Sequence, residues 1–289
     1  MLDYHLHLWE HGPRPLHATL DDVRRYCEQA QARGVTEIAL TEHFHRFRQV
    51  DGVFKDWWRS DPDAGLRAGM ESYWTQEQGG DLDEYVEAVL AAKAEGLPVV
   101  LGLEVDYYRD RMDDVQRILD GYPFDVLLGS IHWLGAWGFD NTAEQPFVDE
   151  WDKRSIEAVW DDYTTNLEEL ADSGVCDVLA HPDLCKITGR LPRVPDEWYD
   201  RMAEAAKRSG MAAEINTNGL RKPIAEAYPA PPLLQRFQRA GVPVTTATDA
   251  HTADRVAERR DDVRVLLADA GYESLQAYEA RAPRTVPIG

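Results

Sequence analysis

Leu2-Asp3-Tyr4-His5-Leu6-His7 opens the chain, and its two histidines, two residues apart, decide how the rest is read. On a β-strand alternate side chains share a face, so both imidazoles project from one side roughly 6 to 7 Å apart and can grip one cation. The same logic recurs near the other end in Thr248-Asp249-Ala250-His251, with a carboxylate replacing one imidazole. Between these, short apolar runs lead into polar groups. His43 follows Val35–Leu40, Glu104 follows Pro98–Leu103 and His132 follows Phe124–Ile131. His181 follows Val175–Ala180, Asn216 follows Met211–Ile215, and Asp249 follows Val242–Ala247. Independent structural histidines have no reason to gather after successive strands. The strand ends of a parallel barrel converge on one rim, so residues from 5 to 251 can meet there as a multinuclear metal site.

Uninterrupted apolar runs of this length mark strands buried on both faces. Amphipathic stretches alternate with them at Leu20–Arg33, Leu82–Glu95, Ile156–Asp172, Trp198–Arg208 and Leu233–Arg239, most closing on a glycine as helices do. Alternating βα units predict a parallel sheet. Seven strands are one short of the usual eight, so the expected α/β fold is an irregular seven-stranded, TIM-like (β/α)7 barrel, with an open doubly wound sheet as the alternative. At 289 residues and 44% apolar content the chain can bury one large core, and one domain over 1–289 is expected. Residues 44–80 form the one long insertion, rich in aromatics (Phe54, Trp57, Trp58, Tyr73, Trp74). As a βα loop it would lie over the rim as a lid, or its aromatics would simply pack.

Acidic residues number 52 against 31 Lys and Arg, a net charge of −21. That sign opposes general attraction to nucleic acid or an anionic membrane, and neither partner is expected. Cys27, Cys176 and Cys185 are odd in number and lack CxxC spacing, which fits reduced cytoplasmic thiols. The strand starting at Met1 leaves no room for a signal segment, and no run of about 18 apolar residues follows, so a soluble, cytoplasmic protein is expected.

A donor set of imidazoles with Glu104 and Asp249 suits Zn, Mn or Fe better than Ca, which prefers oxygen. Too many donors are present for one tetrahedral ion. Two or three divalent transition-metal ions, about 3.5 to 4 Å apart and sharing Glu104, would make the pocket positive despite the acidic surface and would suit a small phosphorylated substrate. Arg221-Lys222 follows the sixth strand, where a guanidinium can take two phosphate oxygens at once, and Lys186 and Arg190 lie beyond the fifth strand as further phosphate candidates. Trp133 and Trp137 are candidates to shape a small pocket, or core residues. Asn216 is a candidate to orient a ligand. His45 reads as an exposed loop residue.

Several motifs together resemble a known family: Asp-Tyr-His-Leu-His at 3–7, Leu-Thr-Glu-His at 40–43, Gly-Leu-Glu-Val-Asp at 102–106 and Gly-Ser-Ile-His-Trp-Leu-Gly-Ala-Trp at 129–137. They continue with Ala-His-Pro-Asp-Leu at 180–184, Ile-Asn-Thr-Asn-Gly-Leu-Arg-Lys-Pro at 215–223, Tyr-Pro-Ala-Pro at 228–231 and Asp-Ala-His at 249–251. The chain resembles the polymerase and histidinol phosphatase (PHP) superfamily. The stretches 134–137, 216–223 and 228–231 look like its monofunctional histidinol-phosphatase branch. That resemblance implies one ion on His5, His7, Glu104 and Asp249, a second on Glu104, His132 and His181, and a third on His43 and His251. Family members add a further histidine to the third site; here it would be His11, with His17 or a missing ligand as the alternatives. The implied reaction is hydrolysis of L-histidinol phosphate to L-histidinol and phosphate in histidine biosynthesis. Arg221 would be the phosphate clamp, and Asp249, His251 or a water would be the proton donor to the leaving alkoxide. Asp106 and Glu42 are candidates to meet the substrate ammonium or to support ligands. Action on another small phosphate, or a non-catalytic metal-binding module, are the alternatives.

Overall fold

The computed structural model describes residues 1–54 and 57–289; positions 55 and 56, inside the 44–80 insertion, lie outside the described residues. Seven parallel strands pair in chain order: β1 (Leu2–Leu6), β2 (Glu37–His43), β3 (Val99–Asp106), β4 (Val126–Ser130), β5 (Val178–Leu179), β6 (Ala212–Asn216) and β7 (Val244–Ala247). They form the nearly closed barrel expected from the alternating runs. Helices Leu20–Ala32, Leu82–Ala94, Ile156–Ser173, Asp196–Ser209 and Pro231–Ala240 fill the predicted places between strands. The helices ending at Ser173, Ser209 and Ala240 stop where Gly174, Gly210 and Gly241 enter the left-handed region that side-chain-bearing residues avoid.

No ladder joins β1 to β7. Their seam is held by one bridge, His7 N–H to Ala250 C=O at 2.9 Å, and by polar side chains. Thr246 Oγ1 donates to Leu2 C=O at 2.6 Å, and the buried Asp3 carboxylate accepts from Thr248 N–H at 3.0 Å, Thr248 Oγ1 at 2.7 Å and Ala257 N–H at 2.9 Å.

The sequence reading missed a C-terminal hairpin, β8 (Ser274–Glu279) with β9 (Ala282–Pro287). Its Leu275, Ala277 and Tyr278 join the barrel interior of Leu2, Tyr4, Val126, Val178 and Val244. Ala280 N–H reaches Asp125 Oδ1 at 3.0 Å, and Arg281 pairs with Asp177, both acids standing just before strands begin. The hairpin therefore closes the N-terminal mouth, leaving the opposite mouth, where the strands end, for chemistry.

The 44–80 insertion is mostly helical, ending in the helix Ala64–Glu77. Phe54 stacks on Tyr108 at 3.8 Å between ring centroids, and Trp58 lies 5.0 Å from Trp74. Phe54, Trp58 and Trp74 are buried, each contributing about 1.5 to 3 kcal/mol or more by leaving water. Tyr73 alone of the singled-out aromatics here lines the cleft at the open mouth.

Candidate metal centre

Sheet register brings the strand ends together: His43 on β2 lies opposite Glu104 on β3. Glu104 is the hub. Its Oε2 lies 2.7 Å from His43 Nδ1, 3.3 Å from His5 Nε2 and 3.6 Å from His7 Nε2, while Oε1 lies 2.8 Å from His181 Nε2 and 3.5 Å from His132 Nε2. Asp249 Oδ1 stands 3.4 Å from His7 Nε2 and 4.0 Å from His5 Nε2. The ring of His251 stacks 4.2 Å from that of His7. Two of these positions, His181 (φ +28°) and Asp249 (φ +53°), hold backbone conformations that non-glycine residues rarely adopt, a strain characteristic of functional positions.

A cation fits this donor set. Ligands about 2.1 Å from one tetrahedral ion stand about 3.4 Å apart, the range seen here. His5 Nε2, His7 Nε2, both nitrogens of His43, Glu104 Oε2 and His251 Nε2 are buried yet carry no hydrogen bond. Each such group costs about 1 to 3 kcal/mol unless something satisfies it, and converging lone pairs are satisfied by a positive ion. Three-donor groups form at His5/His7/Asp249, His43/Glu104/His132 and His7/His43/His251.

Behind the donors stands a layer of carboxylates that orients the rings. Glu214 Oε2 lies 2.9 Å from His5 Nδ1, Glu42 Oε1 3.4 Å from His7 Nδ1, and Asp106 Oδ1 2.6 Å from His132 Nδ1. Burial opposes a charge on His132, but Asp106 and Glu104 outweigh it and push its pKa up to about 10. Burial would likewise raise the pKa of Glu104, but His5, His43 and His132 hold it well below the carboxylate range. The site attracts positive charge, whether proton or metal.

Other sequence expectations fall into place or are corrected. Asp106 and Glu42 are fully buried against His132 Nδ1 and His7 Nδ1 and lie outside the cleft lining, a placement that suits support of the imidazoles and not contact with a substrate ammonium. His45 is no exposed loop residue: it is buried between Asp106 Oδ2 at 3.1 Å and the Tyr73 hydroxyl at 3.0 Å. His17 is 73% exposed and faces Glu84, whereas His11 lines the cleft with its ring 4.7 Å from that of His251. Asn216 Nδ2 donates to Glu214 Oε1 at 2.7 Å, and so holds the carboxylate that faces His5 Nδ1.

The cleft encloses about 530 Å³, with Asn218, Arg221, Lys222 and Arg255 along one side. Arg221 is paired with Glu258 and reaches Asn218 Oδ1 at 2.8 Å, and Asn218 Nδ2 in turn reaches Asp249 Oδ2 at 2.8 Å. Lys186, Arg190 and Trp137 lie outside the lining. The Lys186 ammonium is buried against Asp183 at 3.0 Å and Glu226 at 2.6 Å, so its charge is spent internally. Arg190 pairs with Asp152 at 2.8 Å, and Trp137 is core, donating to Phe147 C=O at 2.9 Å under the Arg154 guanidinium. Sequence reasoning missed Glu214, Asn218 and Arg255. Glu214 had a signal: a carboxylate inside an apolar strand, two residues before Asn216. Nothing marks Arg255 among surface cations.

The PHP domain profile matches residues 3–218. The chain belongs to the PHP domain family. Among PHP relatives, a Deinococcus radiodurans protein named probable histidinol-phosphatase is 34% identical over 275 residues, covering 94% of both chains. A Bacillus subtilis histidinol-phosphatase is 26% identical over 264 residues, 85% of this chain and 93% of its own. The same fold occurs in the histidinol phosphate phosphatase of Lactococcus lactis, solved with zinc, L-histidinol and phosphate (TM-score 0.73, 20% identity, 98% of both chains).

Proposed function

We propose that this PHP protein is a metal-dependent phosphomonoesterase that hydrolyses L-histidinol phosphate to L-histidinol and phosphate, serving histidine biosynthesis in the cytoplasm. The observation that carries the chemistry is the convergence of imidazoles on Glu104 and Asp249 at one barrel mouth beside Arg221. The full-length likeness to the Deinococcus relative supports the substrate. Three buried free thiols suit a reducing compartment.

His5, His7, Glu104 and Asp249 would hold one divalent ion, Glu104, His132 and His181 a second, and His43, His251 and His11 a third. Bound there, such ions supply Lewis acidity toward the phosphate oxygens and an acidified water. Arg221 leaves Glu258 to take two phosphate oxygens, with Lys222 and Arg255 adding charge on the same wall. Asn218 Nδ2 holds Asp249 Oδ2 at 2.8 Å, and the proton for the leaving alkoxide would come from Asp249, His251 or a bound water. Tyr73 and Trp133, 5.1 Å apart, flank the remaining space, and Tyr73, Gln76 and Glu77 of the 44–80 insertion line the cleft, which supports reading the insertion as a lid on a single domain.

Phosphate release from histidinol phosphate, glycerol phosphate and a nucleoside monophosphate tests the reading. A pocket built on polar readout should favour histidinol phosphate by at least about a hundredfold in kcat/KM. Equal rates reject the histidine assignment and leave a general phosphatase; no release after metal loading rejects both.

A further inference from the structure

Six carboxylates line the cleft along with the cations Arg221, Lys222 and Arg255. Five of the six are engaged. Glu104 and Asp249 belong to the donor set, and Glu77 accepts from Gly12 N–H at 2.6 Å and from Arg46 Nη2 at 2.8 Å. Glu10 pairs with Arg14 at 3.1 Å, and Glu144 accepts from Ser72 Oγ at 2.7 Å. The sixth, Asp140, makes no side-chain hydrogen bond or ion pair among the described residues.

Asp140 is nevertheless held in place. It follows a short hairpin that starts directly after His132, with Trp133 opposite Gly138 and Leu134 opposite Trp137. A Cβ at Gly138 would come within 2.9 Å of the Trp133 ring and 3.0 Å of the Phe147 ring, so the turn admits only glycine there. Phe139 is buried with its C=O accepting from Trp151 Nε1 at 2.8 Å, and Asn141 N–H reaches back to Gly138 C=O at 3.2 Å. The backbone on both sides of Asp140 is thereby fixed, and a partly buried carboxylate faces the cleft with no partner. Against burial, and after Asp106 and Glu104, its charge helps to raise the pKa of His132, so it stands within electrostatic reach of the donor set.

An unpaired carboxylate beside a phosphate site acts in two directions. It repels a phosphate that brings no cation, and it attracts one that carries an ammonium a few bonds away, through a charge-assisted hydrogen bond. L-histidinol phosphate carries such an ammonium on the carbon next to its phosphate-bearing methylene. Its imidazole, with an ordinary pKa of about 6.5, is mainly neutral at pH 7 and suits the aromatic wall of Tyr73 and Trp133.

We infer that Asp140 is a specificity-determining residue that receives the ammonium of an amino-alcohol phosphate and turns away phosphates without one. The inference rests on the histidinol phosphate reading above.

Steady-state kinetics compare wild type, Asp140→Asn and Asp140→Glu on L-histidinol phosphate and on imidazolylpropyl phosphate, which lacks only the amine. Asparagine keeps the shape and removes the charge. The wild-type preference for histidinol phosphate, as a ratio of kcat/KM values, should shrink about ten- to a hundredfold in Asp140→Asn, and Asp140→Glu, which restores the charge, should recover part of it. A purely structural role would slow both substrates in parallel and leave the ratio untouched, which overturns the inference. L-Histidinol binding to the metal-loaded protein, followed by calorimetry, gives a readout apart from turnover: weaker binding in Asp140→Asn is expected, and unchanged affinity overturns the role. A wild type indifferent to the amine overturns it as well while leaving the phosphatase standing. A wild type that favours glycerol phosphate over both substrates rejects the histidine assignment itself, and the role of Asp140 with it.

Discussion

Asp106 Oδ1 lies 2.6 Å from His132 Nδ1, on the edge of the ring opposite the nitrogen that faces Glu104. The carboxylate fixes which nitrogen of His132 is free. Asp106→Asn should therefore weaken metal retention about 10- to 100-fold without removing a ligand, measured by competition with a chelator. Unchanged retention would make Asp106 a packing residue.

Glu104 is the carboxylate shared by five imidazoles. Glu104→Gln should lower metal content by more than one equivalent and abolish turnover. Loss of a single equivalent with partial activity would show that the carboxylate serves one ion only.

Arg221 and Lys186 should separate cleanly. Arg221→Ala, which removes a charge-assisted contact worth about 1.5 to 3 kcal/mol, should lower kcat/KM roughly ten- to a hundredfold with metal content intact. Lys186→Met strands the buried Asp183 and should cost about 3 to 5 kcal/mol in stability while sparing kcat/KM of the folded protein. The reverse pattern, read from kinetics and thermal melts, would move the phosphate clamp to Lys186.

Stability toward acid should rest partly on Glu42. Burial alone would raise its pKa, but Arg46, His7 and the His43 N–H together bring it down to about 2. A carboxylate depressed in the folded state contributes stability above its unfolded value near 4.5, on the order of 3 kcal/mol, and loses it as pH falls toward 2. Melting temperatures of the metal-stripped protein should drop across that window, and Glu42→Gln should flatten the drop. An identical acid profile in the variant would assign the transition to other carboxylates.

The fold and the donors were legible because each rests on a local pattern. Apolar runs gave the strands, glycines gave the helix ends, and a polar residue after each run marked the rim. The layer behind the donors was harder to read. Asp106 and Glu42 share a sequence signature with a substrate contact, since a carboxylate near a strand end fits either role, and only burial against His132 and His7 decides. His45 looked exposed because nothing in the loop sequence announces Tyr73, which arrives from the insertion to cover it. Hairpin β8–β9 escaped notice because Gln276, Arg284 and Thr285 interrupt its apolar residues and its purpose, closing the far mouth, exists only in three dimensions.

The open seam between β1 and β7 has a consequence for the life of the protein in the cell. His5 and His7 stand on one lip and Asp249 on the other, so an ion shared by them would act as a rivet across the one join of the barrel that no ladder closes. Ligand binding to the folded state alone adds stability in proportion to the logarithm of its concentration, and proteases sample whatever opens. Amide exchange at His7, whose N–H makes the seam's one backbone bridge, should slow on metal loading. When metal is scarce, the protein would be not only idle but short-lived, so its abundance would follow metal supply.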